Sequence, residues 1–495
     1  MSQATHILAI DQSTSATKAI VLDASGAVIS RCAREHRQIY PRPGWVEHDA
    51  EEIWQNTLSV IGGVDLSGIA FLSLTNQRET FVVFDRATGR PLHNAIVWQD
   101  RRGSAICQEL VRCGHEALIA RKTGLRVDTY FSGSKLGWLV RNEPEIAARL
   151  ADGSALAGTI DTYLIYRLTE GKVFATDHTN ASRTLLLDIN TLRWDEQLCG
   201  LFDVPLRALP ELRDSTAGFG EARLSCKNQT VTLPIVGVMG DSQAALLAHR
   251  CLSAGSAKVT LGTGSSVLLN IGAAPRAADD GTVTTIAWTH RATATYCFEG
   301  IVNYSAATIE WLRNQLGLIR DAAETEALAT AVPDNGGVYL VPAFVGLGAP
   351  HWSPGARAAI VGLSAHSNRN HVVRAALESI AYQIHDALDA MRRQAGVTLQ
   401  TIHADGGATR NAFLMQFIAD ITGVSIAAAE MPDCSPLGAA MAGMLGSGVV
   451  TSMDELSRLP HRQTLYQPRM PQAQAEALRS GWRRAVRQVL AGVEG

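Results

Sequence analysis

An acidic residue between an apolar strand and a helix is the clearest candidate for proton transfer. Gly240-Asp241-Ser242-Gln243 separates a predicted strand at residues 236–239 from a predicted helix at about 242–249. A carboxylate at a strand end can accept the proton of a substrate hydroxyl. Phosphoryl transfer demands mainly alignment and charge neutralisation, so one positioned carboxylate would suffice. The alternative is a helix cap, which the spacing alone favours, since Asp is among the commonest N-cap residues.

Two strand–turn–strand segments could bind phosphate. Residues 7–22 and 257–270 each place a turn rich in Gly, Ser and Thr between two apolar strands. Small residues let the backbone approach an anion, and N–H and hydroxyl groups can surround its oxygens. Either turn alone is more typical of an ordinary hairpin. Their recurrence about half a chain length apart favours a duplicated fold with a cleft between its halves.

A third segment could either bind phosphate or supply a base. It is Asp405-Gly406-Gly407-Ala408, and it precedes a helix predicted to start near Asn411. Two glycines permit close backbone approach, and a helix N-terminus attracts anions. A Gly-Gly turn before a helix is, however, common without any ligand.

Polar and aromatic side chains in the first half could line a pocket for a hydroxyl-rich molecule. Arg78 and Glu79 follow a predicted strand at residues 69–74 and offer a fork of donors beside acceptors. Trp98, Tyr130 and Phe131 could supply a flat wall against C–H groups, with the Tyr hydroxyl as a polar contact. A solvated loop and ordinary core aromatics are the alternatives.

Composition limits the class of protein. The chain has 495 residues, 46% hydrophobic and 18% charged, which is too long for one core and too apolar for disorder. A net charge of −3 gives no electrostatic reason to expect nucleic acid or an anionic membrane as a partner. Eight cysteines without a Cys-x-x-Cys pair indicate free thiols in a reducing cytoplasm. No signal peptide or membrane-spanning segment is predicted.

The predicted elements alternate between strands and helices. Three short strands at residues 7–10, 19–22 and 28–32 form a meander, and a helical pattern follows over residues 46–61. The second half repeats the scheme, with a long helix at 370–394 and a strand at 401–404. This order predicts an α/β fold with helices covering a sheet. We place the domain boundary before the second hairpin, giving domains of residues 1–249 and 250–495.

The sequence resembles the FGGY carbohydrate kinases from the first strand to about residue 450. The segments that carry the resemblance are TNQRET (75–80), NAIVWQ (94–99), DHTNASRT (177–184), VPAFVGLGAP (341–350) and LESIAYQ (377–383). The resemblance implies two actin-like (RNase-H-like) domains flanking a nucleotide/substrate cleft. It also implies ATP and Mg²⁺ as cofactors and phosphorylation of glycerol or a closely related polyol.

The resemblance also implies residue roles. The substrate pocket would consist of Arg78, Glu79, Trp98, Tyr130, Asp241 and Ser242, with Asp241 as general base. Asp11 would help to hold Mg²⁺ through water. The nucleotide would contact Thr14, Ser15, Lys18, Thr263, Glu310, Gly407, Ala408 and Asn411.

Four positions depart from the pattern of the glycerol-phosphorylating members of that family. Ser13 and Lys18 stand where those members usually carry Gly and Arg, and Ser242 and Ser266 stand where they carry Gln and Phe. The two pocket serines leave open a kinase for a larger polyol or ketose, such as a tetritol, pentitol or pentulose. An actin-like ATPase without kinase activity is the alternative from another class. A homo-oligomer is left open.

Overall fold

The computed structural model describes residues 6–226, 229–279, 281–431 and 434–493. Its strands are β1 (His6–Gln12), β2 (Ala16–Leu22), β3 (Val28–Glu35), β4 (Glu47–His48), β5 (Ile69–Asn76), β6 (Phe81–Asp85), β7 (Ala95–Ile96), β8 (Ala155–Thr159), β9 (Ala175–Asp177), β10 (Leu187–Asp188), β11 (Arg193–Trp194), β12 (Glu211–Arg213), β13 (Gly218–Cys226), β14 (Gln229–Gly240), β15 (Ala257–Leu261), β16 (Ser265–Gly272), β17 (Val283–His290), β18 (Thr293–Val302), β19 (Tyr339–Val341), β20 (Ala359–Val361), β21 (Thr401–Asp405), β22 (Ser425–Ala429) and β23 (Gln463–Tyr466).

Its α-helices are α1 (Ala50–Gly62), α2 (Ser104–Arg112), α3 (Glu116–Thr123), α4 (Ser132–Asn142), α5 (Pro144–Asp152), α6 (Ile160–Leu168), α7 (His178–Ala181), α8 (Glu196–Leu201), α9 (Asp241–Ala248), α10 (Ala306–Asn314), α11 (Glu324–Thr330), α12 (Arg369–Ala395), α13 (Ala412–Thr422), α14 (Cys434–Ser447), α15 (Met453–Ser457) and α16 (Gln472–Ala491). Short 3₁₀ helices cover Leu206–Ala208 and Gly407–Arg410. No helix in these described ranges is both long enough and apolar enough to cross a membrane.

Two large sheets share one topology, as the recurring hairpins predict. The first has the order β13-β14-β5-β1-β2-β3 and the second β17-β18-β16-β15-β21-β22-β23. In each, an antiparallel hairpin (β1–β2 or β15–β16) continues through parallel strands (β5 and β14, or β21 and β22). The predicted α/β duplication is therefore confirmed.

The predicted elements are found with small shifts. The first and third meander strands extend to Gln12 and Glu35, and the second starts earlier, at Ala16. The helix expected over 46–61 begins only at Ala50, because the Asp49 carboxylate accepts the N–H groups of Glu51 and Glu52 and so caps it. Residues 47–48 pair with β7 instead.

Helix α14 packs against the first sheet although it lies late in the chain. Its buried methionines share one hydrophobic cluster with β1, β5, β14 and α9. Gly438 allows this packing, since a side-chain carbon there would lie 1.7 Å from the Ala244 carbonyl oxygen of α9. The two halves are thus joined by a common core. The division at residue 249/250 stays a prediction.

Candidate active site at the junction of the two halves

Asp241 is the first residue of α9, and the N-cap position belongs to Gly240. The Asp241 side chain retains 37% of its exposure. One of its oxygens accepts the Ser242 N–H at 2.6 Å and lies 3.2 Å from Nε of Arg78. The Ser435 hydroxyl on α14 donates to the Asp241 carbonyl at 2.9 Å. One carboxylate oxygen therefore has two donors, Ser435 fixes the backbone, and the side chain is still accessible to a small molecule.

Arg78 is buried and spans the two halves of the molecule. Its Nη1 and Nη2 donate to Glu299 on β18 at 3.0 and 2.7 Å. This bidentate pair aligns the guanidinium so that Nε faces Asp241. Burial lowers the pKa of Arg78, but Glu299, Glu79 and Asp241 outweigh it and raise that pKa well above its ordinary value.

A second buried arginine completes the charged network. Arg183, which follows α7, donates from Nε to Glu79 at 2.6 Å and places Nη1 2.7 Å from Glu299. Burial tends to raise the pKa of Glu299, but Arg183 and Arg78 overcome it and hold the pKa at about 2. At Glu79 the effect of burial exceeds that of Arg78 and Arg183, so the pKa of Glu79 is raised. Glu79 also has a positive φ of 63°, a strained backbone that the network holds in place.

Trp98 and Tyr130, two of the aromatic residues predicted to line a pocket, lie side by side as an aromatic wall. Their ring centroids lie 5.3 Å apart, and the Trp98 Nε1 donates to the Thr14 hydroxyl at 3.0 Å. The wall is thereby tied to the first hairpin turn. Burial, with Glu79 next, raises the pKa of Tyr130, so its hydroxyl keeps its proton and can donate.

Ser242 and Ser266 meet beside this network, although one belongs to each half of the chain. Their hydroxyl oxygens lie 3.4 Å apart, and the Ser266 hydroxyl donates to Glu299 at 3.3 Å. Both side chains are partly exposed. The site therefore has two neighbouring hydroxyl groups next to Asp241.

The first hairpin presents the groups expected to face phosphate. Asp11 is buried at the end of β1, 3.4 Å from the Lys18 ammonium on β2. Ser15 is exposed at the turn, and Thr14 is held by Trp98. A carboxylate oxygen at a strand end suits Mg²⁺, which prefers hard oxygen ligands.

The second hairpin and the Gly-Gly turn lie against each other. Thr263 is exposed, and its carbonyl accepts the N–H groups of Ser305 and Ala307 at the start of α10. Gly406 has φ +95°, and a side-chain carbon there would lie 2.4 Å from the Leu261 carbonyl oxygen. Only glycine therefore lets the end of β21 approach β15 this closely. Glu310 is exposed on α10.

Gly407 and Ala408 precede a helix, and that helix begins next to Asn411 as the sequence predicts. They belong to the 3₁₀ turn, and α13 starts only after Asn411. The Asn411 side chain caps α13 through the Leu414 N–H at 2.9 Å and donates to Thr325 at 3.1 Å. Gly407 itself is exposed, so its backbone is free of neighbouring bulk.

Sequence reasoning missed Glu299 and gave Arg183 no role. The available signal was a single carboxylate within the apolar run Tyr296-Cys297-Phe298-Glu299-Gly300-Ile301-Val302. A charge in a buried strand requires a partner. Its partners lie more than 100 residues away in the sequence and could not be identified from it.

Comparison with known protein families finds matches over almost the whole chain. The sequence pattern of the FGGY family of carbohydrate kinases matches as the N-terminal domain over residues 6–248 and as the C-terminal domain over residues 257–447. Glycerol kinase 1 of Thermotoga maritima is 45% identical over 491 residues, covering 98% of this chain and 99% of that protein. Glycerol kinase of Shewanella oneidensis is 45% identical over 490 residues, with 98% and 99% covered.

Solved structures give the same relationship. A glycerol kinase from Plasmodium falciparum with ADP superposes with a TM-score of 0.92 at 36% identity, covering 98% of both chains. A ligand-bound xylulose kinase from Lactobacillus acidophilus superposes with a TM-score of 0.87 at 22% identity, again over 98% of both chains, which supports the fold alone.

Proposed function

The chain belongs to the FGGY family of carbohydrate kinases, and we propose that it transfers the terminal phosphoryl group of ATP to glycerol. The observation that carries this proposal is the grouping of Asp241, Arg78, Trp98 and Tyr130 at the junction of the halves. The near full-length identity to glycerol kinases supports the substrate.

Asp241 acts as the general base in this proposal. Its carboxylate takes the proton of the attacking hydroxyl while that hydroxyl oxygen bonds to the terminal phosphorus of ATP. The bond from that phosphorus to the bridging oxygen breaks, and ADP leaves. Arg78 keeps the carboxylate oriented through its Nε contact at 3.2 Å. Trp98 and Tyr130 flank the carbon skeleton and exclude water.

The two hairpins hold the nucleotide. Ser15 in the first turn, Lys18 on β2 and Thr263 in the second turn offer hydroxyl, ammonium and backbone donors at exposed or half-exposed positions. Gly407, Ala408 and Asn411 would face the nucleoside end, with Glu310 nearby. Asp11 would hold Mg²⁺ through water, and the bound ion would neutralise phosphate charge.

Release of ADP with a panel of polyols tests the function. Glycerol should give the highest kcat/KM, and Asp241→Asn should lose most of that turnover. No stimulation by any polyol would refute kinase activity, and stimulation by a longer polyol alone would refute glycerol as the substrate.

The contact between Ser242 and Ser266 favours a second candidate, a kinase for a tetritol, pentitol or pentulose. Two hydroxyl groups 3.4 Å apart can donate to or accept from one further substrate hydroxyl. A site built to bind that hydroxyl would reject glycerol strongly. The double variant Ser242→Gln with Ser266→Phe should then gain activity on glycerol and lose it on the longer polyol. A wild type that already prefers glycerol, and a variant without gain, would contradict this candidate.

We assign the enzyme to the cytoplasm. Seven cysteines of the described ranges are free thiols, which suits a reducing compartment. A homo-oligomer stays a prediction. Light scattering of the purified protein would measure its molar mass and so test this prediction.

A further inference from the structure

A cluster of metal-ligating side chains that does not include Asp11 lies where three elements meet. His249 follows α9, Asp405 ends β21 and Cys434 starts α14. One ligand atom of each lies within 4.8 Å of the other two, and all three residues are buried. Within the described part of the chain, no other group of three His, Cys, Asp or Glu side chains meets this criterion.

We propose that His249, Asp405 and Cys434 form a binding site for a divalent cation of the zinc class. An imidazole nitrogen, a carboxylate oxygen and a thiolate sulfur are the ligand types of zinc in proteins. The His249 Nε2 lies 3.2 Å from an Asp405 oxygen. Two ligand atoms that are each about 2 Å from a tetrahedral ion are separated from each other by about this distance. Mg²⁺ and Ca²⁺ would not select this set, because they prefer oxygen ligands alone.

Two further histidines extend the cluster. His403 precedes Asp405 by two residues on β21, so its side chain points to the same face of the strand. Its ring centroid lies 5.6 Å from that of His249, and its Nδ1 has no hydrogen-bond partner in the described structure. A rotamer change would make His403 the fourth ligand.

His461 gives the cluster a connection to the surface. Its ring stacks on that of His403 with centroids 6.1 Å apart, and it lies 5.7 Å from the ring of His249. His403 and His461 are partly exposed whereas His249 is buried.

The charges around the site set the conditions for binding. Asp405 and a Cys434 thiolate would balance a divalent cation, while Lys258 and Arg250 lie nearby as competing positive charges. Burial, with Asp405 next, raises the pKa of Cys434 well above its ordinary value. Coordination by Cys434 requires its thiolate, so cation binding would release the thiol proton.

The position of the site gives binding a structural consequence. Cys434 is adjacent to Ser435, whose hydroxyl holds the Asp241 carbonyl, and Asp405 precedes the Gly406-Gly407 turn. A bound cation would thus fix α9, β21 and α14 relative to one another. We expect it to raise the thermal unfolding midpoint of the protein.

Cobalt(II) titration of the chelator-treated protein tests the site. One equivalent should bind and produce the near-ultraviolet thiolate-to-cobalt absorption of a tetrahedral site, and Zn²⁺ but not Mg²⁺ should displace it. Cys434→Ser should abolish that absorption and weaken binding at least about 10-fold, and His249→Gln should weaken it similarly. Cys251→Ser is the matched control, a buried cysteine two residues after His249 that is outside the cluster.

Circular dichroism without metal establishes that each variant is folded. Absence of the absorption in wild type, or its persistence in Cys434→Ser, would overturn the proposal, as would equal loss in Cys251→Ser. The wild-type titration decides the question even if one variant fails to fold. At the same Zn²⁺ concentration, the unfolding midpoint should rise more for wild type and Cys251→Ser than for Cys434→Ser.

Discussion

Replacing Glu299 by Gln removes the negative charge that two buried arginines share. Glu299 accepts from Arg78 at 2.7 and 3.0 Å and lies 2.7 Å from Arg183. A folded pKa of about 2 against an ordinary value of 4.5 corresponds to about 3 kcal/mol of stabilisation at neutral pH. Loss of one partner from a buried ion pair costs about 3–5 kcal/mol, which agrees with that figure.

Glu378→Gln is the matched control. Glu378 is also a buried glutamate paired with an arginine, Arg374, at 2.7 Å, but it lies on α12 outside the site. Burial raises its pKa, so its charge favours the folded state less than that of Glu299. Its replacement should cost clearly less stability and leave the KM for glycerol unchanged.

Denaturant unfolding of the unliganded proteins measures these losses of stability. Steady-state kinetics measures the effect of each substitution on the KM for the polyol. Glu299→Gln should also raise the KM for the polyol, because Arg78 no longer has its bidentate partner. A carboxylate whose pKa is lower in the folded protein than in the unfolded chain stabilises the fold at pH values above the unfolded-state pKa. This stabilisation disappears as the pH falls through the folded-state pKa. The difference between wild type and Glu299→Gln should therefore shrink between pH 4.5 and about 2. A loss below about 1 kcal/mol at neutral pH, or a pH-independent difference, would refute the reasoning.

Three further predictions concern the base, the nucleotide and the packing of α14. Asp241→Asn should lose about 10²–10⁴ in kcat while keeping ATP affinity by calorimetry, and near-full turnover would show that the carboxylate is not the base. ATP with polyol should protect residues 11–18 and 262–266 together in hydrogen exchange, and protection of one turn alone would exclude a shared nucleotide. Gly438→Ala should destabilise the protein by about 1–3 kcal/mol in thermal unfolding, because its added carbon meets the α9 backbone. Gly200→Ala, where nothing lies within 4 Å, is its control, and equal effects would contradict the packing argument.

The sequence alone determined the parts that depend on local pattern. Apolar strands around small-residue turns predicted both hairpins. The strand-then-helix order around Asp241 predicted where a carboxylate would stand, and the motif segments identified the family. These features follow from hydrogen bonding and side-chain periodicity within about ten residues.

Tertiary structure alone decided which distant residues meet. Arg78 and Glu299 are 221 positions apart, and nothing in either segment specifies the other. The packing of α14 on the first sheet, the meeting of Ser242 with Ser266 and the grouping of His249, Asp405 and Cys434 likewise join segments from different parts of the chain. Such contacts arise when sheets and helices pack to bury apolar surface, and a buried charge is tolerated only where that packing brings its partner within reach.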